Sequence, residues 1–360
     1  MSATKINIRN LSFEELTEKL LTLGEKKFRA KQIYEWIWKK GVRQFSDMRN
    51  ISKKITEALE TDYFLDCLTI TDLQKSNDST IKVAFTSFDG HVTEGVLIPT
   101  ETRVTACISS QVGCSLACKF CATGRLKLMR NLSPGEIYDQ VLLLTALSNE
   151  HYKINLSNIV FMGMGEPLLN FKNVIEGSKR ICGETGLGIS PRRITVSTAG
   201  IAKMIEKLGD EDIKLNLALS LHAANDKKRD EIMEINETNS LDKLSDSLKL
   251  YHQKTKNRIT FEYIIFKDFN DSISDARELA EFCKNFPVKI NIIEYNPIDD
   301  GEYQQADQEK VDRFAEFLES LNLVVNIRRS RGKDIDAACG QLANKNKSIA
   351  LKERRLKVST

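Results

Sequence analysis

The chain has 360 residues, is 41% hydrophobic, and sets 53 Lys and Arg against 50 Asp and Glu for a formal net charge of +3. That excludes a disordered polyelectrolyte and allows one large core plus a smaller module, while any affinity for nucleic acid has to come from local patches. No run of about 18 apolar residues occurs and the N-terminal MSATKINIRN has no apolar signal stretch, so a cytoplasmic protein without a membrane span is expected.

Residues 12 to 60 read as helices, because Phe13, Leu16, Leu20 and Leu21 recur at helical spacing and Ile33, Trp36 and Ile37 repeat it after Phe28. The expected unit is a helical module over residues 1–62. Its Lys26, Lys27, Arg29, Lys31, Lys39, Lys40 and Arg43 form either a surface for RNA phosphates or an ordinary solvated face. From Cys67 to Pro99 the pattern turns to strands, with Asp89-Gly90 between IKVAFTSF and HVTEGVLIP as a tight-hairpin signal. Residues 63–100 are thus expected to be a hairpin linker. Glu94 stands among apolar neighbours in it, which a polar strand face would explain.

Over residues 101–340 the short apolar runs RVTACIS, NIVFM, RITVS, KLNLALSLH, RITFEYIIF and VKINIIEYN alternate with amphipathic segments, and LVVNIR ends the series. The helical segments are expected near 134–148, 171–183, 200–208, 226–233, 240–253, 272–285 and 308–321. Ser133 and Glu136 bracket Pro134 as a capping box with proline at the first helical position. Repeated strand-helix units imply parallel strands with helices outside, and six main strands favour a partial α/β barrel, (β/α)6, over a closed eight-stranded one. Such barrels carry chemistry at the C-terminal ends of their strands. The cysteine loop follows the first strand there, GMGEP (163–167) the second, Ser197 and Gly200 the third, Ser220 and His222 the fourth, and Asn296 and Pro297 the sixth. Each alone is an ordinary turn residue; five groups in register on one face argue for a site. Arg328, Arg329, Arg331 and Lys333, then Lys352, Arg354, Arg355 and Lys357 in a basic tail over 341–360, add two cationic stretches.

Eight cysteines in a chain of this size are too sparse for a disulfide scaffold. Cys114, Cys118 and Cys121 of CSLACKFC fall within eight residues with no fourth close by. Three such thiolates can hold three irons of a four-iron, four-sulfur cluster and leave the fourth iron open. The alternative is a zinc site completed by a distant ligand, in a non-catalytic RNA-binding protein. Cys67, Cys107, Cys182, Cys283 and Cys339, taken singly, read as small buried hydrophobes.

With Phe120 before its third cysteine, CSLACKFC resembles the radical S-adenosylmethionine superfamily. CISSQVGCSLACKFCATG, FMGMGEPLLN, ISPRRITVSTAG, LALSLHAA, EYNPI and DIDAACGQL together resemble the RlmN-type RNA methyltransferases, which methylate carbon 2 of adenosine in 23S rRNA and tRNA. The neighbouring Cfr family, which methylates carbon 8, shares most of these motifs; GEPLLN and KFRAKQIYEWIWKKGV look like the RlmN side.

The resemblance implies a radical-SAM barrel with a 4Fe-4S cluster on Cys114, Cys118 and Cys121, and two S-adenosylmethionine molecules per turnover. It implies that Cys339 accepts a methyl group and later tethers the RNA, that Cys107 resolves the adduct through a disulfide, and that Glu94 accepts the ring proton. Gly165, Glu166, Ser197, Ser220, Leu221, His222 and Asn296 would contact S-adenosylmethionine, with Gly165 and Glu166 at its ammonium. Expected partners are 23S rRNA, tRNA and a flavodoxin- or ferredoxin-type electron donor, for a monomeric enzyme.

Overall fold

The computed structural model describes residues 5–344; most of the expected basic tail lies outside the described residues. The N-terminal module packs α1 (Phe13–Thr22), α2 (Phe28–Trp38) and α3 (Lys53–Asp62) around Leu16, Leu20, Ile33, Ile37 and Leu59, all buried. Ser12 starts α1 through a capping box with Glu15.

The module is fastened to the rest by a buried ion pair. Arg9 Nη2 lies 2.7 Å from Asp139 Oδ1 on α4 (Pro134–Tyr152), with both side chains nearly inaccessible. Asp139 also accepts the Leu68 N–H at 2.9 Å, and the Arg9 guanidinium lies 5.1 Å from the Trp38 ring. Burial alone would lower the Arg9 pKa, and Asp139 more than reverses it.

Ten strands form one continuous sheet. Its antiparallel part is β1 (Thr69–Lys75), β2 (Ile81–Thr86) and β3 (Val92–Pro99), joined through β3 to β4 (Val104–Cys107). From β4 the sheet is parallel through β5 (Leu156–Phe161), β6 (Ile194–Thr198), β7 (Asn216–Ser220), β8 (Ile259–Ile265), β9 (Val288–Glu294) and β10 (Val324–Arg328). Between these strands run α4, α5 (Phe171–Cys182), α6 (Ala202–Asp210), α7 (Asp226–Ile232), α8 (Leu241–Thr255), α9 (Ile273–Cys283) and α10 (Gln308–Ser320). The inner strands β8 and β9 are buried along almost their whole length, as parallel strands covered by helices must be, whereas the two edges β1 and β10 are largely exposed. β10 pairs with β9 alone, so the barrel stays open.

This is the expected partial radical-SAM-type α/β barrel, with LVVNIR adding a seventh parallel strand. The region read as a hairpin linker is more than that. TITDLQK forms β1, and the three antiparallel strands extend the barrel sheet itself. The turn is also wider than a two-residue hairpin: Ser87 N–H donates to His91 O, enclosing Phe88, Asp89 and Gly90, with Gly90 at φ +79°. The Ser133, Pro134 and Glu136 start of α4 is as expected, with both capping-box bonds made.

Candidate radical centre

The C-terminal ends of the parallel strands open into a cavity of 210 Å³. Cys114, Cys118 and Cys121 line it, on the loop after β4. Burial dominates their chemistry. It pushes the Cys114 thiol up to about 11, the Cys118 thiol well above its ordinary value, and Cys121 upward as well. Backbone amides oppose it: those of Leu116 and Ser115 at Cys114, and those of Gly124 and Thr123 at Cys121. Three half-buried thiols with amide donors at two sulfurs become thiolates only against strong positive charge, which bound iron supplies. The three cysteines come from one eight-residue stretch and all line the same cavity. A zinc ion would hold every sulfur about 2.3 Å away, whereas a four-iron cluster takes one thiolate per iron. The residues fit the cluster.

Glu166, at the end of the loop after β5, is 3% exposed and also lines the cavity. Its oxygens accept the Ala199 N–H at 2.8 Å and the Leu168 N–H at 2.9 Å. Burial raises its pKa to about 7 against those bonds. Gly165, at φ +93°, brings the loop so close to Gln111 that a Cβ would stand 2.4 Å from the Gln111 side chain. Gln111 in turn accepts the Glu166 N–H at 2.8 Å.

Ser197, Ser220 and His222 lie on the wall. His222 takes a left-handed φ of +56°, its Nδ1 accepts the Ile264 N–H at 3.0 Å, and its ring meets Phe120 edge-on with centroids 4.7 Å apart. Burial, then Arg229, lowers its pKa to about 3, so the imidazole is neutral.

The cysteines separated most widely in sequence face the same cavity. Cys107 ends β4 and is buried; Cys339 follows β10 on the loop after Lys333–Ile335 and is open to the cavity. Burial and Cys339 push Cys107 up to about 12. Cys339 is raised by its depth in the site, with Arg328 pulling it down and Glu262 pushing it up. Arg328 and Glu262 are themselves paired at 3.2 Å, and both line the cavity.

Three expected residues stand off the wall. Leu221 is fully buried in the main core and serves through its backbone, as its N–H donates to Glu262 O and its carbonyl accepts Arg229 Nε. Asn296 is buried and donates from Nδ2 to the Cys339 carbonyl at 3.3 Å, holding that loop. Glu94 is 2% exposed on β3, where Oε2 accepts the Ala343 and Asn344 N–H groups at 3.0 and 3.1 Å and Oε1 faces Lys82 Nζ at 3.8 Å. Sequence reasoning passed over Glu262 and Arg229 altogether and read Arg328 only as part of a basic run. An acid inside the apolar run RITFEYIIF was the available signal for Glu262.

The profile of the ribosomal RNA large subunit methyltransferase N-terminal domain matches residues 6–64, and that of the radical SAM superfamily matches 108–283. A protein of Cytophaga hutchinsonii named "Probable dual-specificity RNA methyltransferase RlmN" is 56% identical over 94% of this chain and 93% of its own length. The chain belongs to the RlmN family. A Flavobacterium johnsoniae member of the same name is 50% identical over 97% of this chain and all of its own. The crystal structure of a radical SAM methyltransferase from Sphaerobacter thermophilus superposes with a TM-score of 0.88 at 36% identity, covering 94% of this chain and 99% of that one. Membership in this family carries the radical SAM fold and, with it, a 4Fe-4S cluster and S-adenosylmethionine as its cofactors. No helix of the described residues is long and apolar enough to cross a membrane.

Proposed function

We propose that this chain methylates carbon 2 of adenosine in 23S rRNA and tRNA, through a methylated cysteine and a transient protein–RNA adduct. The observation that carries the reading is the convergence of Cys107 and Cys339 on the cavity that also holds the three-cysteine loop. A structural cluster site has no use for two further thiols facing its open side.

Cys114, Cys118 and Cys121 would hold the cluster. When bound, it supplies the electron that cleaves S-adenosylmethionine to a 5′-deoxyadenosyl radical, the one-electron route that an electron-poor adenine carbon requires. Glu166 and Gly165 suit the ammonium of S-adenosylmethionine, and Ser197, Ser220 and the neutral His222 offer hydrogen bonds for its other polar groups. Cys339 is the nucleophile for the methyl group of one S-adenosylmethionine, with Arg328 favouring its thiolate. A second S-adenosylmethionine per turnover provides the radical. That radical would take one hydrogen atom from the methyl group on Cys339. Once the resulting carbon has bonded to the base and the adduct has lost the ring proton and returned its odd electron to the cluster, Cys339 tethers the RNA. The Cys107 thiolate would then attack the Cys339 sulfur, breaking its bond to the linking carbon, which takes up a proton and stays on the base as a methyl group while the two sulfurs remain as a disulfide. Asn296 and Glu94 position the Cys339 segment from either side. Service by Glu94 as proton acceptor requires the Ala343 and Asn344 amides to let go first.

The basic face of the N-terminal module, where Lys26, Lys27, Lys31, Lys39, Lys40 and Arg43 are exposed, would meet RNA phosphates, and a flavodoxin or ferredoxin would feed the cluster of a monomeric enzyme. The test is nucleoside mass spectrometry of RNA treated with the reconstituted enzyme, S-adenosylmethionine and reductant. Methylation at carbon 2 in both RNA classes is expected. A methyl on carbon 8 would move the chain to the Cfr-type reaction, and unmodified RNA from an iron-loaded enzyme would overturn the reading.

A further inference from the structure

Arg229 on α7 is wholly inaccessible to solvent, yet among the described residues its guanidinium meets no carboxylate. Its nitrogens donate only to neutral oxygens: Nε to Leu221 O at 3.1 Å, Nη1 to Asn236 Oδ1 at 2.5 Å, and Nη2 to Ala199 O at 2.5 Å and Ser220 O at 3.3 Å. The two nearest acids turn elsewhere, as Asp226 and Asp230 both accept from Asn236 Nδ2, at 2.8 and 2.7 Å. A buried cation without a partner is costly to keep, and simple fastening of strand ends to α7 could be done by a neutral amide.

The missing anion has a place in the fold. Lys119 N–H, next to Cys118, donates to Ile232 O at 3.1 Å, which seats the cysteine loop on the last turn of the helix that carries Arg229. Ala199, whose carbonyl holds Nη2, gives its N–H to Glu166 on the cavity wall.

We infer that Arg229 is the built-in counter-charge of the iron–sulfur cluster and sets its reduction potential. The inference rests on the reading that Cys114, Cys118 and Cys121 hold that cluster. Three thiolates give the cluster a net negative charge that grows by one on reduction, so a fixed buried cation on the helix that seats the cysteine loop stabilises the reduced form more than the oxidised one. Because each of its three nitrogens already donates to a protein oxygen, Arg229 acts through its field rather than by touching the cluster. It is a positioning residue for charge, not a catalytic one.

The experiment is an EPR-monitored redox titration of the reconstituted protein without RNA. Arg229→Gln should lower the ratio of reduced to oxidised cluster at a fixed potential by about tenfold, equivalent to about 59 mV for a one-electron couple. Arg229→Lys, which keeps the charge while losing most of the hydrogen bonds, should stay close to wild type. A purely fastening role would give the same potential in all three proteins, or shift the Lys and Gln variants alike, and either result overturns the inference. Should Arg229→Gln fail to fold, Asp230→Asn removes an exposed acid that partly offsets the guanidinium; the potential must then rise, and an unchanged value counts against the proposal. A wild-type protein that holds iron in no EPR-active cluster would instead sink the cluster reading itself.

Discussion

Replacing Asp139 with Ala tests how the N-terminal module is held. The change leaves the Arg9 guanidinium inaccessible with its counter-charge gone, keeping the Asp66 carbonyl at 3.0 Å as hydrogen-bond acceptor and the Trp38 ring at 5.1 Å. It also strips the Leu68 N–H of its acceptor. Breaking a buried pair from one side costs about 3–5 kcal/mol, and an orphaned buried amide adds about 1–3 kcal/mol. A loss of about 4–8 kcal/mol is therefore expected, a large share of the roughly 5–15 kcal/mol that holds a domain together. Both tryptophans of the chain, Trp36 and Trp38, lie in α2, so urea unfolding followed by tryptophan emission reports on the module directly. The double variant Arg9→Met with Asp139→Leu removes both charges and should recover most of the loss. A single-variant cost below about 1 kcal/mol, the range of an exposed pair, would refute this account of the docking.

Three further outcomes follow from the charges described. Arg328→Met should slow alkylation of Cys339 at pH 8 in a Cys107→Ser background, because the thiol loses the cation that favours its thiolate; an unchanged rate by mass spectrometry removes Arg328 from that role. Burial, then Glu136 and Asp139, raises the Asp66 pKa to about 6 against Arg9 and Arg130, so its favourable contribution is complete below the ordinary carboxylate pKa and is lost as pH rises through about 6. Asp66→Asn should therefore gain thermal stability over wild type between pH 5 and 8, and a gain that shrinks with rising pH would contradict the sign. With Glu166 near 7, S-adenosylmethionine binding should strengthen about tenfold from pH 6 to pH 8 as the carboxylate ionises, and isothermal titration should find Glu166→Gln flat across that range.

Much of the barrel was legible because its signals are local. Capping residues and apolar periodicity mark helices such as α4 and α9, and unbroken runs such as RITFEYIIF mark buried parallel strands. The exposed strand TITDLQK falls within the 67–99 stretch read as strands but was not singled out as a strand of its own, since an edge strand open to solvent buries too few side chains to leave an alternating pattern. The cysteine loop announced itself by spacing. Cys107 and Cys339 did not, because nothing local distinguishes a thiol on a cavity wall from one in a core, and only the resemblance singled them out. Arg229 was invisible for a related reason: DKKRDEI reads as a charged, solvated helix, and only the packing of α7 under the cysteine loop turns its arginine inward. Glu94 shows the opposite limit, where the residue type was noticed but its present partners, two backbone amides more than 240 positions away, depend on the tertiary fold.

The account turns on Cys107 and Cys339 acting as a pair. The measurement that tests it most directly is denaturing gel and mass analysis of the Cys107→Ala enzyme after turnover with RNA, S-adenosylmethionine and reductant. The account predicts RNA covalently bound to the protein through Cys339 and no free methylated product. Free methylated RNA released at the wild-type rate would contradict it.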